Sequence, residues 1–419
     1  MIRNRSLAIT LGIIVLSAVL FSTCISNDEE KPAVETTEPS FTPRLHFTDF
    51  AGAASCMKCH KSIYEDHLNT GHFHTSEISS ADNIAGSFDT ARNKVFFTTG
   101  GQINMEKLDS GFYQTAYVKG KKRNCERFDI TVGAATQGQS YMSWTGNNLY
   151  QLPITYFTSA KQWSNSPGYP NHIAFNRPIT SRCLECHTTM AEKISAQGIE
   201  PELFDPKKMI LGVTCEKCHG PGAKHVDYQT NNPKDIAAKY IINPKNFSRQ
   251  QSLDLCAMCH GGRLESTKPA FEFVAGDKLS DYFAMDTVGA GSVSIDVHGN
   301  QYGMLRASKC FRMTSSMTCM NCHNPHENEK GQTSLMSQKC GSCHDGKHAG
   351  DVQCKLTEKL GSWIKNLCTD CHMPKQESRS IAVILQGQQT PTPASMHTHL
   401  IINYPEETKK VLALIKSIK

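Results

Sequence analysis

A pair of cysteines followed by a histidine occurs seven times in this chain and constrains its fold more than any other feature. In each copy the cysteines lie three positions apart and the histidine follows the second one at once. This is the attachment signature of c-type haem, in which both thiols bond to the porphyrin and the histidine ligates the iron. The attachment cysteines are Cys56, Cys59, Cys183, Cys186, Cys215, Cys218, Cys256, Cys259, Cys319, Cys322, Cys340, Cys343, Cys368 and Cys371. The histidines are His60, His187, His219, His260, His323, His344 and His372.

Zinc binding is the alternative use of such cysteine pairs. A zinc site needs four ligands that converge on one metal, and it gives no reason for a histidine directly after every second cysteine. The repeats use 14 of the 18 cysteines and 7 of the 18 histidines, so the pattern belongs to the whole chain. The sequence therefore predicts seven covalently attached haem c groups, with iron, as its cofactors.

Seven haems leave little polypeptide for separate hydrophobic cores, at about fifty residues for each haem. Buried porphyrin would then supply much of the apolar core, and folding would depend on haem attachment. We expect a mainly α fold with extensive loops, organised by stacked haems.

One interval differs from the rest of the chain in its residue types and their pattern. Residues 93–160 contain β-branched and aromatic segments separated by Gly, Asn and Lys turns. This pattern predicts an antiparallel β insert between the first and second haem sites. The insert would be a wall over the haems or a docking surface, and the wall is favoured because sheets usually bury one face without binding a partner.

The N-terminus indicates the compartment. Arg3 and Arg5 precede an apolar run from Leu7 to Phe21 that ends before a lone Cys24. This arrangement favours a lipoprotein signal with Cys24 as the lipid anchor; an ordinary cleaved signal and an uncleaved anchor are the alternatives. We expect an extracytoplasmic protein, in the periplasm or at the cell surface, held to the outer membrane by its lipid.

These features divide the chain into consecutive regions. They are a signal peptide (1–23), a flexible tether (24–48), the first haem region (49–92), the β insert (93–160), a multihaem domain (161–400) and a C-terminal helix (401–419).

The formal net charge of +5 does not indicate nucleic-acid binding. Loss of Arg3 and Arg5 with the signal, and roughly one negative charge for each oxidised haem, leave the mature protein at about −4. Nucleic acid is therefore excluded as a partner.

A second axial ligand determines whether a haem iron is closed, which means that it has no free coordination position for a substrate. Histidines beside a motif are the first candidates: His225 follows a helix-breaking Gly-Pro-Gly, and His326 and His348 follow their proximal histidines closely. Such a residue would reach a neighbouring iron and force two haems together.

Several stretches resemble one family. They are Ala54 to His60 with Thr70-Gly-His72, Leu152 to Phe157, Ser166 to Tyr169 leading to Arg182–His187, Cys215 to Gly222, Cys319 to His326, and Cys371-His-Met-Pro374. Over residues 50–400 the chain resembles the bacterial extracytoplasmic multihaem c-type cytochromes with a cytochrome c-552/4-like haem domain.

The resemblance implies distal iron ligands. It places His72, His225, His298, His326 and His399 at distal positions and matches His348 less clearly. His399 is preferred to His397. The seventh ligand stays open among His67, His74 and His172, and His67 is favoured.

Three cysteines remain outside the motifs and Cys24. In an oxidising compartment we expect a disulfide between Cys310 and Cys354, near the fifth and sixth sites, with Cys125 buried and free.

The favoured function is electron transfer through mostly or wholly bis-His haems, between periplasmic or outer-membrane redox partner proteins, without catalysis. The alternative is a multihaem oxidoreductase that acts on a small nitrogen or sulfur compound at one open haem. A haem-bearing docking module is a third reading, and it would require haems too far apart to exchange electrons.

Overall fold

Antiparallel strands dominate the first half of the described chain. The computed structural model describes residues 44–196, 198–285, 295–347 and 353–418. The strands of this half are β1 (Ser76–Ile78), β2 (Lys94–Phe96), β3 (Gly101–Leu108), β4 (Gly111–Val118), β5 (Lys121–Arg127), β6 (Ile130–Val132), β7 (Gly138–Thr145), β8 (Asn148–Gln151), β9 (Ile154–Phe157), β10 (Gln162–Asn165) and β11 (Arg177–Pro178).

These strands form two antiparallel sheets. One has the order β2-β3-β4-β5, and the other runs β1-β6-β7-β8-β11, with β9 pairing with both β7 and β10. Strands β3 and β4 pair along their whole length, from Gly101 opposite Val118 to Leu108 opposite Gly111. Strands β2 to β9 thus lie within the interval 93–160 for which the sequence predicts a sheet, and β10 lies just beyond it.

A shared core joins the two sheets. Ile103 and Met105 of β3 are completely buried with Tyr141 of β7, and the Tyr141 ring stacks on Phe128 at 4.4 Å between centroids. The buried amide of Gln114 donates to the carbonyl of Ile154 at 2.7 Å and accepts from its N–H at 3.0 Å. The amide satisfies both backbone groups, so the junction carries no unpaired polar group at this point.

The second sheet packs on a haem motif. Ile130, Met142 and Leu149 share a buried cluster with Leu184, which lies between Cys183 and Cys186. Alternate side chains of an antiparallel sheet point to one face, so β6, β7 and β8 together cover the second attachment site.

The helices are short. They span Ala53–Cys56, Lys61–His67, Ser181–His187, Cys215–His219, Ala223–Asn231, Arg249–His260, Gln301–Ala307, Lys309–Met313, Thr333–Cys340, Thr357–Leu360, Cys368–His372 and Pro405–Ile418. Single 3-10 turns lie at Phe47–Asp49, Phe73–Thr75, Pro244–Asn246, Leu279–Asp281 and Cys319–Asn321, and a longer one at Ser362–Leu367. No helix in the described ranges combines the length and apolar character needed to cross a bilayer.

The prediction of a mainly α fold is wrong. Among the described residues, helix, including the 3-10 turns, accounts for 30% and strand for 25%. Besides the two sheets, strand pairs form at β12 (Thr188–Lys193) with β13 (Phe204–Leu211), β14 (Leu264–Ser266) with β15 (Phe283–Met285), and β16 (Lys375–Val383) with β17 (Thr392–His397). Most attachment helices are a turn or two long because Gly or an extended residue follows the motif.

The core of the joined sheets yields a stability prediction. Replacing Ile103 by Ala deletes buried methyl and methylene groups and should lower the free energy of unfolding by about 2–5 kcal/mol. Urea unfolding followed by circular dichroism measures this change. Ile78→Ala is the matched control, because that side chain is 68% exposed and its loss should cost under about 0.5 kcal/mol. Equal costs for both variants would contradict the assigned core.

Candidate haem-attachment sites

Each motif folds into a helical turn that gathers its three reactive groups. In the first motif the N–H of His60 donates to the carbonyl of Cys56 at 2.9 Å, and the fifth and sixth motifs repeat this bond at 3.0 and 2.9 Å. Residues three and four apart share one face of a helix, so both thiols and the imidazole point to the same side. All fourteen motif cysteines are free thiols.

Helix Arg249–His260 shows how the chain positions a motif. The hydroxyl and N–H of Ser248 exchange hydrogen bonds with the N–H and side chain of Gln251, a capping box that fixes the start of the helix. Leu253 and Ala257 anchor its inner face in a buried cluster. The fourth motif therefore lies on the last turn of a firmly packed helix.

Three proximal histidines face a second histidine. The ring centroids are 6.2 Å apart for His260 and His72, 6.1 Å for His219 and His326, and 6.2 Å for His323 and His399. Two imidazoles that share one metal at bonds of about 2 Å place their ring centroids about 6 Å apart. The three pairs therefore fit bis-His ligation of an iron.

The protonation state of these rings suits a metal ligand. Burial, with a smaller effect of neighbouring histidines, lowers the pKa of His72 and that of His399 to about 4. Both rings are therefore neutral at physiological pH, as a ligand imidazole must be.

The proximal rings are oriented by hydrogen bonds at Nδ1. His219 and His372 contact the carbonyl oxygens of Ile242 and Ile402, each at 2.9 Å. His260 contacts the side chain of Gln301 at 3.2 Å. His323 contacts Glu329 at 3.0 Å. A metal-bound histidine usually donates its other ring N–H in this way, which leaves Nε2 for the metal.

The second motif provides a further test of the fit. Burial above all lowers the pKa of His187, and the nearby His298 lowers it further. The Nδ1 atoms of His187 and His399 are buried without a protein partner. These two rings therefore lack the Nδ1 hydrogen bond that orients the four proximal rings described above.

The structure does not support the choice of His67 as the seventh ligand. Its Nε2 lies 3.0 Å from the carbonyl oxygen of Val213 and its Nδ1 lies 3.4 Å from the hydroxyl of Thr70. Both nitrogens of this buried ring have protein partners, so none is left for iron. His74 contacts Glu77 through Nδ1 at 2.9 Å. His348 and Cys24 lie outside the described residues.

His397 shows the ligand pattern that the sequence did not single out. Its Nδ1 lies 2.6 Å from the carbonyl oxygen of Met373, directly after the seventh motif. His225 has the same pattern, with Nδ1 2.7 Å from the carbonyl oxygen of Lys239. From the sequence, His399 is preferred to His397 as a distal ligand. In the structure, both residues have surroundings that suit an iron ligand.

Thiols of different motifs touch one another. The thiol of Cys56 lies within hydrogen-bonding reach of Cys215, and the same holds for Cys186 with Cys259, Cys256 with Cys319, and Cys340 with Cys368. In a thioether the cysteine sulfur is bonded directly to its porphyrin. Two porphyrins attached to a pair of touching cysteines would therefore have adjacent edges.

The expected disulfide between Cys310 and Cys354 is not formed. Both are free thiols, half-buried and exposed respectively. Cys310 lies near Cys322 and Cys340, whereas Cys354 lies near Cys371 of the seventh motif. The two residues thus face different attachment sites.

A metal site built from protein ligands alone requires several side chains that converge on one ion. Within the ranges that the structure describes, no three His, Cys, Asp or Glu side chains converge in that way. The side chains that could hold a cofactor are instead paired histidine imidazoles with free cysteine thiols nearby.

Two buried carboxylates were not identified from the sequence. Glu185 and Glu216 lie inside the second and third Cys-x-x-Cys segments and are 1% and 3% exposed. An acidic residue between two haem-attachment cysteines is the signal that could have found them, since buried carboxylates are rare without dedicated partners.

Comparison with known proteins agrees with this geometry. Residues 156–220 match the family model of cytochrome c554 and c-prime. The chain is 24% identical over 178 residues to the multiheme cytochrome MtrA of Shewanella baltica, covering 39% of this chain and 51% of that protein. It is 21% identical over 209 residues to the C-type polyheme cytochrome OmcC of Geobacter sulfurreducens, covering 45% and 25% respectively. The chain thus spans about half of the first relative and a quarter of the second.

A solved structure shares the fold. The crystal structure of the outer cell wall cytochrome OcwA superposes with a TM-score of 0.52 at 16% identity, over 86% of this chain and 81% of that one. The seven repeated attachment turns, the paired imidazoles and these similarities agree with one another, and the chain is similar to multihaem c-type cytochromes.

Proposed function

We propose that this protein is an electron carrier that holds seven c-type haems in one connected group. The contacts between thiols of different motifs carry the proposal. They join the first site to the third, the second to the fourth, the fourth to the fifth and the sixth to the seventh. The haem supplies the redox chemistry, while the chain sets spacing, ligands and burial.

Weaker contacts connect these pairs. The electrostatic neighbours of Cys256 include Cys218, and those of Cys322 include Cys343. The third site is thereby next to the fourth, and the fifth is next to the sixth. The fourth site has three neighbours and is a junction, whereas the first, second and seventh sites are ends.

Axial histidines close most of these sites. We assign His72 to the fourth site, His326 to the third, His399 to the fifth and His298 to the second. His225 serves the first site, because its helix begins at Gly222, where an added Cβ would lie 3.7 Å from the Ala51 side chain, close to the first motif. His397 replaces His67 as the candidate for another site, and His348 stays a candidate from the sequence.

The partners and location follow from the sequence. The N-terminal signal and Cys24 support a lipid-anchored protein outside the cytoplasm, at the outer membrane. Redox proteins of the periplasm or outer membrane are the proposed donor and acceptor. Residues 24–48 would tether the haem-bearing part to the lipid.

One observation favours the alternative of an oxidoreductase with an open haem. The side chain of His60 is exposed, and no imidazole ring of the described residues stacks against it. If His225 does not reach the first iron, that site could bind a small nitrogen or sulfur compound.

The two functions differ in their spectra. The oxidised protein should show only low-spin signals in low-temperature EPR, and its optical spectrum should not respond to cyanide or nitrite, because every iron has two histidine ligands. Mass spectrometry of the same sample should give seven haems for each chain. A high-spin signal that disappears when ligand is added would instead favour the oxidoreductase.

The ligand assignment gives a paired prediction. His326→Ala should open the third iron and produce one high-spin haem, while the number of attached haems is unchanged. His67→Ala should keep every haem low-spin, and should cost about 1–3 kcal/mol of stability through the lost buried hydrogen bonds. EPR and urea unfolding measure the two effects. A high-spin signal in His67→Ala would restore His67 as a ligand.

The junction can be tested by removing attachment sites. A Cys256→Ser and Cys259→Ser variant lacks the fourth site, so the second haem on its own, and the first and third haems as a pair, should exchange electrons with the remaining haems more slowly. Stopped-flow reduction with limiting dithionite would then show separate slow phases. Cys183→Ser with Cys186→Ser removes an end and is the control, since it should leave a single rapid equilibration. Equal kinetics in the two variants would contradict a junction at the fourth site.

A further inference from the structure

The third motif contains a buried acid that haem attachment does not need. Glu216 stands between Cys215 and Cys218, and its side chain is 3% exposed. The two variable positions of a Cys-x-x-Cys-His motif bond to neither porphyrin nor iron. Burying a carboxylate costs free energy unless hydrogen bonds compensate, so its place calls for partners.

The partners come from two haem sites. One carboxylate oxygen accepts from the N–H groups of Ala51 and Gly222, both at 2.7 Å, and the other accepts from Gly52 at 2.9 Å. Gly222 follows the third motif, whereas Ala51 and Gly52 lead into the helix that carries Cys56. Glu216 therefore ties the backbone before the first motif to the third motif.

The backbone around the carboxylate is shaped to approach it closely. A Cβ at Gly222 would lie 3.0 Å from the carboxylate oxygen, closer than an ordinary van der Waals contact. Gly52 has a φ of +76°, a conformation that suits glycine and turns its N–H towards Glu216. A larger residue at Gly222 or at Gly52 would therefore disturb the hydrogen bonds that Glu216 accepts there.

The surroundings of the Glu216 charge differ from those of the Glu185 charge. Across the described ranges no Lys or Arg forms an ion pair with it, whereas Glu185 of the second motif pairs with Arg182 at 3.4 Å. A net negative charge therefore lies buried between the first and third sites.

This charge acts on both attachment sites. The hydrogen bond to Cys215, burial and the Glu216 carboxylate all raise the pKa of the Cys56 thiol. The hydrogen bond from Cys56 lowers the pKa of Cys215 to about 7, while burial and Glu216 act in the opposite direction. The field of one carboxylate thus reaches a thiol of each motif.

We propose that Glu216 is a positioning residue that clamps the first and third haem sites together, and that its buried charge lowers the reduction potentials of the two haems attached there. A negative charge stabilises ferric relative to ferrous haem, and low surrounding polarity strengthens the effect. The inference rests on the proposed haem occupancy of both motifs. It holds whether the protein is a carrier or an oxidoreductase.

Glu216→Gln tests the charge in the full haem-loaded protein. It keeps the size of the side chain but removes the charge, so two of the seven haems should titrate at higher potential in an EPR-monitored redox titration. Glu216→Asp keeps the charge and should return these potentials towards those of the wild type. Mass spectrometry verifies that each variant carries as many haems as the wild type.

Two further variants are the controls. Glu406→Gln changes a carboxylate that is 76% exposed and should leave every potential unchanged. Glu185→Gln removes a buried charge that already has a cation partner, so its shift should be smaller than that of Glu216→Gln. Titration curves of Glu216→Gln and Glu406→Gln that superimpose would overturn the proposal.

The clamp has a separate readout. If Glu216→Gln does not accumulate, Glu216→Asp carries the test, because its shorter side chain should loosen the contact and change the EPR line shapes of two haems. Line shapes identical to those of the wild type would overturn the positioning role. Failure of the proposed electron-carrier function would appear differently, as a ligand-binding high-spin haem in the wild type.

Discussion

Contact between thiols that belong to different motifs is the constraint on which the structure depends. Cys256 and Cys259 each touch a cysteine of another motif, so the fourth attachment turn is fixed against the fifth and the second at once. Covalent attachment leaves a haem little freedom beyond that of its own turn. Loops, sheets and caps must therefore hold separate turns at fixed distances, which explains why so much of the chain consists of short elements.

The sheets provide a rigid frame for these turns. Gln114 and the stacked rings of Phe128 and Tyr141 make the two sheets one packed body with its own core. The second sheet in turn buries Leu184 of the second motif. The β-rich region therefore has a core of its own side chains and packs directly on the second motif.

The sequence could predict local chemistry better than long-range pairing. The attachment turns follow from spacing alone, because one helical turn brings three residues to one face. The pairing of His72 with His260 joins residues far apart in the chain, and no local pattern encodes such a contact. His67 looked like a ligand by its place near a motif, whereas burial and the carbonyl of Val213 decide its role. The later strand pairs were missed because their alternation is weak and short.

The thiol contacts also have a consequence for how the protein is made. Cys56 and Cys215 meet only after the chain has folded, and an oxidising compartment favours disulfides between thiols that lie this close. Four such pairs would be oxidised to misplaced disulfides if folding came first, and those sites would then be lost to haem. Under the proposed function, haem would therefore be attached to the extended chain before the chain folds, and correct folding would depend on that order.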